Sequence, residues 1–181
     1  MINFRISYLD LTNSIKNNNG LVTALNVLDK AITYSTVILY LLYLIYGFRQ
    51  ISTDGGTLLY RSIIIPGISF IIVSLYRRLV SAPRPYEVYG FVPVLDKDTV
   101  GKSFPSRHVF SIFMIAMTFL QTSIVGAVVI SVMGIFLGII RIIGGVHFIK
   151  DVVAGMIMAL FISFICYGIL CGVLGMLMLP F

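Results

Sequence analysis

Residues 124–151 read IVGAVVISVMGIFLGIIRIIGGVHFIKD. The run 124–140 holds no charged side chain and approaches the ~20 apolar residues that a helix needs to cross a bilayer. It ends on Arg141, and residues 141–151 then carry an arginine, a histidine, a lysine and an aspartate before the next apolar run begins at Val152. Charge is costly between two apolar runs. Ionisable residues at the edge of a membrane span therefore point to function. His147 and Asp151 are four residues apart, so on a helix they share one face and can touch.

Working outward, the whole chain fits the same solvent. Of its 181 residues, 59% are hydrophobic and 11% charged, with a mean hydropathy of +1.02. A soluble domain carries about 25% charged residues, so these values specify an integral membrane protein. The net charge is +6, from 13 Lys and Arg against 7 Asp and Glu. The basic residues stand at the ends of apolar runs, which favours lipid headgroups or an anionic substrate over nucleic acid. Cys166 and Cys171 lie within the last apolar run and read as small packing residues. Residues 1–30 are polar, without the short apolar core of a signal peptide. They are expected to form an interfacial segment ahead of one transmembrane domain, residues 31–181.

The fold expected is an all-α bundle of about five transmembrane helices, over residues 31–48, 57–80, 106–122, 124–140 and 152–179. Asn17-Asn18-Asn19-Gly20 signals a turn before the first. Pro66-Gly67 predicts a kink in the second, and Pro83 and Pro85 stop it. Residues 81–103 form the one long loop, and a loop of that length is usually functional. Five spans place the end of the second, the start of the third and the junction of the fourth and fifth on one side of the membrane. Arg77, Arg84, Ser106, Arg107, His108, Arg141, His147 and Asp151 thereby share one face, which random scatter would have divided.

That set has a chemistry. Arginines offer planar forks that match phosphate oxygens. Ser106, placed as an N-cap, opens the third span's N–H groups to an anion. Gly144-Gly145 allows backbone to approach a ligand closely. Two histidines allow one nucleophile and one general acid, and Asp151 is able to orient the imidazole of His147. Together these describe phosphoryl transfer, where positioning and charge stabilisation supply most of the catalysis.

Three blocks carry a resemblance: Arg77-x6-Arg84-Pro85, then Pro105-Ser106-Arg107-His108, then Arg141-x5-His147-x3-Asp151. Their joint spacing, over roughly residues 57–160, resembles the signature of the type-2 phosphatidic acid phosphatases. The resemblance implies a membrane enzyme acting on phosphatidic acid, phosphatidylglycerol phosphate or undecaprenyl pyrophosphate. It implies that His147 becomes phosphorylated, His108 protonates the leaving group and Asp151 supports the nucleophile. Ser106 and the basic residues Arg77, Arg84, Arg107 and Arg141 would cradle the phosphate. No metal or other cofactor is implied, and the site would lie on the extracytoplasmic face of the cell membrane. Against this, Arg5, Lys16 and Lys30 fall on the active-site face and pull it towards the cytoplasm. Arg77 stands where the family usually has lysine, Arg107 where it often has glycine, and Ile140 where it often has serine. The common family plan has six spans, and here the first is expected to be lacking, since residues 1–30 are too polar to cross.

Other features take plainer readings. Arg78, Lys30 and Lys150 read as interface anchors, and Lys97 and Lys102 as solvated loop charges. Tyr86, Tyr89 and Phe91 suit a lipid-facing lid or an aromatic belt equally. Gly101-Lys102-Ser103 lacks the earlier glycine of a phosphate loop, since Asp96 stands there. Two alternatives remain. One is a metalloenzyme using His108, His147 and Asp151 as ligands, against which the arginines speak by repelling a cation. The other is a non-catalytic lipid-binding or transport protein, which would show polar residues in mid-span.

Overall fold

The computed structural model describes residues 10, 12–97 and 99–170. Arg5, Cys171 and the expected end of the fifth span lie outside the described residues. From Asn19 on, seven helices follow in order among the described residues: α1 (Asn19–Arg49), α2 (Ile51–Asp54), α3 (Thr57–Val80), α4 (Pro85–Tyr89), α5 (Arg107–Phe119), α6 (Ile124–Ile143) and α7 (Ile149–Ser163). The last continues as a π-helical stretch, Phe164–Leu170. The described residues contain no strand, and four helical stretches are long and apolar enough to cross a membrane, with α5 a shorter apolar helix. The architecture is a helical membrane bundle of about five helices.

The first helix begins well before the expected span. Asn18 caps it, its side chain accepting from the Leu21 N–H at 3.2 Å. The helix then runs without a break across Lys30, so Asn26 and Asp29 stand on the same rigid rod as the apolar residues below them. The fourth span is also longer than expected: α6 extends through Arg141 to Ile143, which sets Arg141 in its last turn.

At the centre stands α5. Val109, Phe110, Ile112, Phe113, Met114 and Ala116 are all buried, against Val73 of α3, Ile130 and Leu137 of α6 and Ala159 of α7. With 13 residues, α5 rises about 20 Å, short of the ~30 Å hydrocarbon core. Enclosure by α1, α3, α6 and α7 makes this tolerable, because non-helical backbone at membrane depth is acceptable when other protein segments cover it. Apolar side chains on the outer helix faces, such as Ile38, Ile71, Val125 and Phe161, are exposed in the direction of lipid.

The proline in α3 shows how the bundle is tied. Pro66 lies inside the helix and has no N–H, so the carbonyl four residues earlier, on Ser62, loses its helical donor. The Tyr40 hydroxyl on α1 donates to that carbonyl at 2.6 Å. A backbone gap that would be costly in lipid becomes a link between α1 and α3.

Close packing of α5 on α7 rests on Gly155. A Cβ there would stand 2.6 Å from the Ser106 carbonyl oxygen and 3.4 Å from the Phe110 nitrogen. Gly155→Ala must therefore push the two helices apart, and overpacking of this kind costs about 1–3 kcal/mol. A lower thermal midpoint in detergent is expected for Gly155→Ala. Gly67→Ala, with nothing within 4 Å of the added carbon, should leave the midpoint unchanged or raised. Equal midpoints for the two variants would contradict the close approach.

Candidate active site

The end of α3, the loop after it, the start of α5, the end of α6 and the α6–α7 turn meet around a cavity of about 420 Å³. Arg77, Arg84, Arg107, His108, Arg141 and His147 all line it. Ser106 and Asp151 lie behind the wall, both fully buried. The sharing of one face that five spans required is thus a convergence on one cavity.

His147 follows the glycine pair that ends α6. Gly145 has φ 78°, a left-handed conformation suited to glycine, and a Cβ on it would meet the Phe91 ring at 2.7 Å. The Gly144 carbonyl accepts from Val94 N–H at 3.0 Å and Leu95 N–H at 3.3 Å. The close approach permitted by the pair is therefore made by the 91–95 loop, where the sequence suggested a ligand. Its turn carries the chain back so that both Val146 N–H and His147 N–H donate to the Arg141 carbonyl at 3.2 Å.

The imidazole is 1% exposed, and its Nδ1 lies 3.5 Å from Asp151 Oδ2 and 3.4 Å from Ser103 Oγ. Burial pushes the His147 pKa down to about 4, with the Asp151 contact opposing the shift and Arg84 and Arg141 adding to it. The Ser103 hydroxyl donates to the same Asp151 oxygen, and Phe148 N–H donates to it at 3.0 Å. Asp151 stands in the first turn of α7, where the positive helix end favours a carboxylate. Its backbone carbonyl accepts from Ser106 N–H at 2.8 Å, which locks the start of α5 to the start of α7.

The arginines hold the walls as well as line them. Arg77 donates to the carbonyls of Pro105 and Lys102, spanning two points with the fork that distinguishes it from lysine. Arg84 donates to Gly101 at 3.1 Å and to Val146 at 3.0 Å. Arg141, 4% exposed, pairs with Asp29 of α1 at 2.9 Å. Arg107 instead lies over the Phe70 ring, 5.2 Å from its centroid. Ser106 occupies the N-cap of α5, but its side chain makes no capping bond. Its hydroxyl is buried with no partner among the described residues.

Three residues were not singled out from sequence. Ser103 lay in the Gly101-Lys102-Ser103 triplet dismissed as a phosphate loop, yet it is the buried partner of Asp151. Asp29, taken as part of an interfacial turn, is 112 positions from Arg141, and no local spacing connects them. Lys97, read as a solvated charge, lines the cavity, and burial followed by the neighbouring Arg141 lowers its pKa. Arg78 and Lys102 also reach the cavity wall.

Of the three aromatics proposed as lid or belt, Phe91 seats on Gly145 and Tyr89 packs edge-on to Phe148 at 6.0 Å. The Tyr86 hydroxyl donates to the Thr99 carbonyl at 2.5 Å. Their contacts brace the loop against the α6–α7 turn. Among the described residues, no group of three His, Cys, Asp or Glu side chains converges to hold a metal ion.

Two solved structures share this fold. One is the first transmembrane PAP2 type phosphatidylglycerolphosphate phosphatase from Bacillus subtilis, at a TM-score of 0.59 and 20% identity over 92% of this chain and 94% of that one. The other is LpxE from Aquifex aeolicus, at a TM-score of 0.64 and 21% identity over 88% of this chain and 93% of that one. No curated protein matches the sequence. The family model described as PAP2 superfamily matches residues 56–171, which contain all three signature blocks. The chain belongs to the PAP2 superfamily.

Proposed function

We propose that the protein is a membrane lipid phosphatase that hydrolyses a phosphomonoester or pyrophosphate on a lipid through a phosphohistidine at His147. The observation that carries this reading is a buried histidine, backed by Asp151 and Ser103, in the wall of a cavity rich in arginine.

The steps follow from the chemistry of these groups. With the Nδ1 proton directed at Asp151, the Nε2 lone pair is the nucleophile, and Asp151 stabilises the charge that develops on the ring. Attack on phosphorus breaks the bond to the leaving oxygen, and His108 supplies that oxygen with a proton. Water then attacks the phosphohistidine, giving a proton to the now neutral His108; the P–N bond breaks, which releases inorganic phosphate and restores both histidines. Arginine side chains, the unpartnered Ser106 hydroxyl and the first-turn N–H groups of α5 hold the equatorial oxygens. Charge stabilisation by fixed cations gives a route that uses no metal, and those cations disfavour a second positive ion in the same space. In this reading the cavity opens on the extracytoplasmic side of the cell membrane.

Phosphate release from phosphatidic acid in detergent micelles, in buffer containing EDTA, tests the reading. Rapid quenching should trap an acid-labile phosphoryl group on the wild type and none on His147→Ala. Equal trapping in both proteins, or activity that disappears with EDTA and returns with zinc, would sink the assignment.

The depressed pKa of His147 fixes a pH dependence. The nucleophile must be neutral, and it is neutral above about 4 in the folded chain. The acid limb of kcat/KM is therefore expected near pH 4, well below the ordinary histidine value of 6.5. Folding shifts in the same window: between 6.5 and about 4 the unfolded chain takes up the proton first, so stability falls as pH falls. An acid limb centred at 6.5, in protein still folded by circular dichroism, would contradict the burial of this ring.

A further inference from the structure

Asp29 lies before the residues that match the family model, yet it touches the site. Its Oδ2 accepts from Arg141 Nη2 at 2.9 Å. Arg141 lines the main cavity and also a second cavity of about 200 Å³, bounded by Asn26 and Asp29 of α1 and by Asp96 and Lys97 of the loop. The guanidinium therefore belongs to the partition between the two spaces.

The shape of the contact suits orientation better than stability. A strong arginine–carboxylate pair joins two nitrogens to two oxygens. Here one oxygen meets one nitrogen, and Asp29 Oδ1 and Arg141 Nε are both buried with no hydrogen-bond partner among the described residues. Unpaired buried polar atoms cost free energy, and a buried ion pair is weak ground for stability in any case. What the contact does is anchor a cation whose neighbours in the cavity wall, Arg77, Arg84 and Arg107, repel it.

Asp29 is itself held in place. Asn26, one turn earlier on α1, donates from its side chain to the Val94 carbonyl at 3.0 Å and accepts from Asp96 N–H at 3.0 Å. At the other end, the Arg141 carbonyl accepts from Val146 N–H and His147 N–H at 3.2 Å. A line of contacts thus runs from α1 through Arg141 to the turn that carries His147.

We propose that Asp29 is a positioning residue for Arg141, fixing its guanidinium where charge develops on the transferring phosphoryl group. The proposal rests on the lipid phosphatase reading above. Without Asp29, the other cations displace Arg141 and the transition state loses a donor. The lipid chain binds elsewhere, so the loss falls on kcat and spares KM.

The test is a double-mutant cycle on phosphatidic acid in detergent micelles, with activity taken per folded molecule. Asp29→Ala should lower kcat about tenfold, the worth of one charge-assisted contact, with KM changed less than about threefold. Inhibition by vanadate, a mimic of the five-coordinate phosphoryl state, should weaken in parallel. Asp29→Asn keeps an acceptor without the charge and should fall between Asp29→Ala and wild type. In an Arg141→Ala background, Asp29→Ala should change kcat less than about threefold. Lys30→Ala, on the same turn but in an exposed ion pair, should leave kcat unchanged. An equal loss in both backgrounds, unaltered vanadate inhibition, or an equal loss for Lys30→Ala would overturn the proposal. If a variant of the cycle does not fold, Asp29→Asn and its vanadate inhibition decide. Absence of phosphate release by the wild type, from phosphatidic acid and from farnesyl diphosphate alike, would sink the phosphatase reading itself, a different result from loss of coupling.

Discussion

Asp151 is a carboxylate with no solvent exposure, and much of the local structure serves to satisfy its Oδ2. An unpaired charge in such a place would cost several kcal/mol. One oxygen takes the Ser103 hydroxyl, the Phe148 N–H and the facing edge of His147. The residue's backbone carbonyl takes Ser106 N–H. These contacts fix the loop before α5, the first turn of α7 and the α6–α7 turn relative to one another. The same carboxylate thus stabilises the fold locally and orients the proposed nucleophile.

A ring of buried arginines extends that constraint. A guanidinium has five donors, and a phosphate needs only some of them. Arg77 and Arg84 spend donors on the 101–105 backbone and on Val146, so the loop that carries Ser103 is held from both sides. Arg141 reaches Asp29, which brings α1 into the site although α1 precedes the residues matched by the family model. Positive charge concentrated this way is unfavourable until an anion arrives. On the proposed reading, a cavity so arranged is preorganised for phosphate, with little reorganisation left to the moment of reaction.

Much of this was legible in the sequence because lipid imposes simple rules. Apolar runs gave the helices, with 57–80 coinciding with α3, and the parity of crossings put the charged ends on one side. The histidine–aspartate contact was expected from a shared helix face, but His147 lies in the turn before α7 and meets Asp151 across the start of that helix. What was not legible depends on distance along the chain or on competition for space. Asp29 finds Arg141 across the bundle, and Ser103 is indistinguishable from any loop serine until the loop folds back. The glycine pair admitted two close neighbours, and Phe91 and Leu95 took the place assigned to a ligand. Residues 19–30 read as polar and interfacial, yet the Asn18 cap starts a helix that continues into the span.

Whether phosphorus is transferred to the protein at all is the central claim. The stereochemical course at phosphorus tests it without any substitution in the protein. A lipid phosphorothioate made chiral at phosphorus with two oxygen isotopes, hydrolysed by the wild type in water of the third isotope, yields inorganic thiophosphate of defined configuration. Two in-line displacements, first by His147 and then by water, give net retention. Net inversion would mean a single displacement by water, and would contradict the account of His147 as nucleophile.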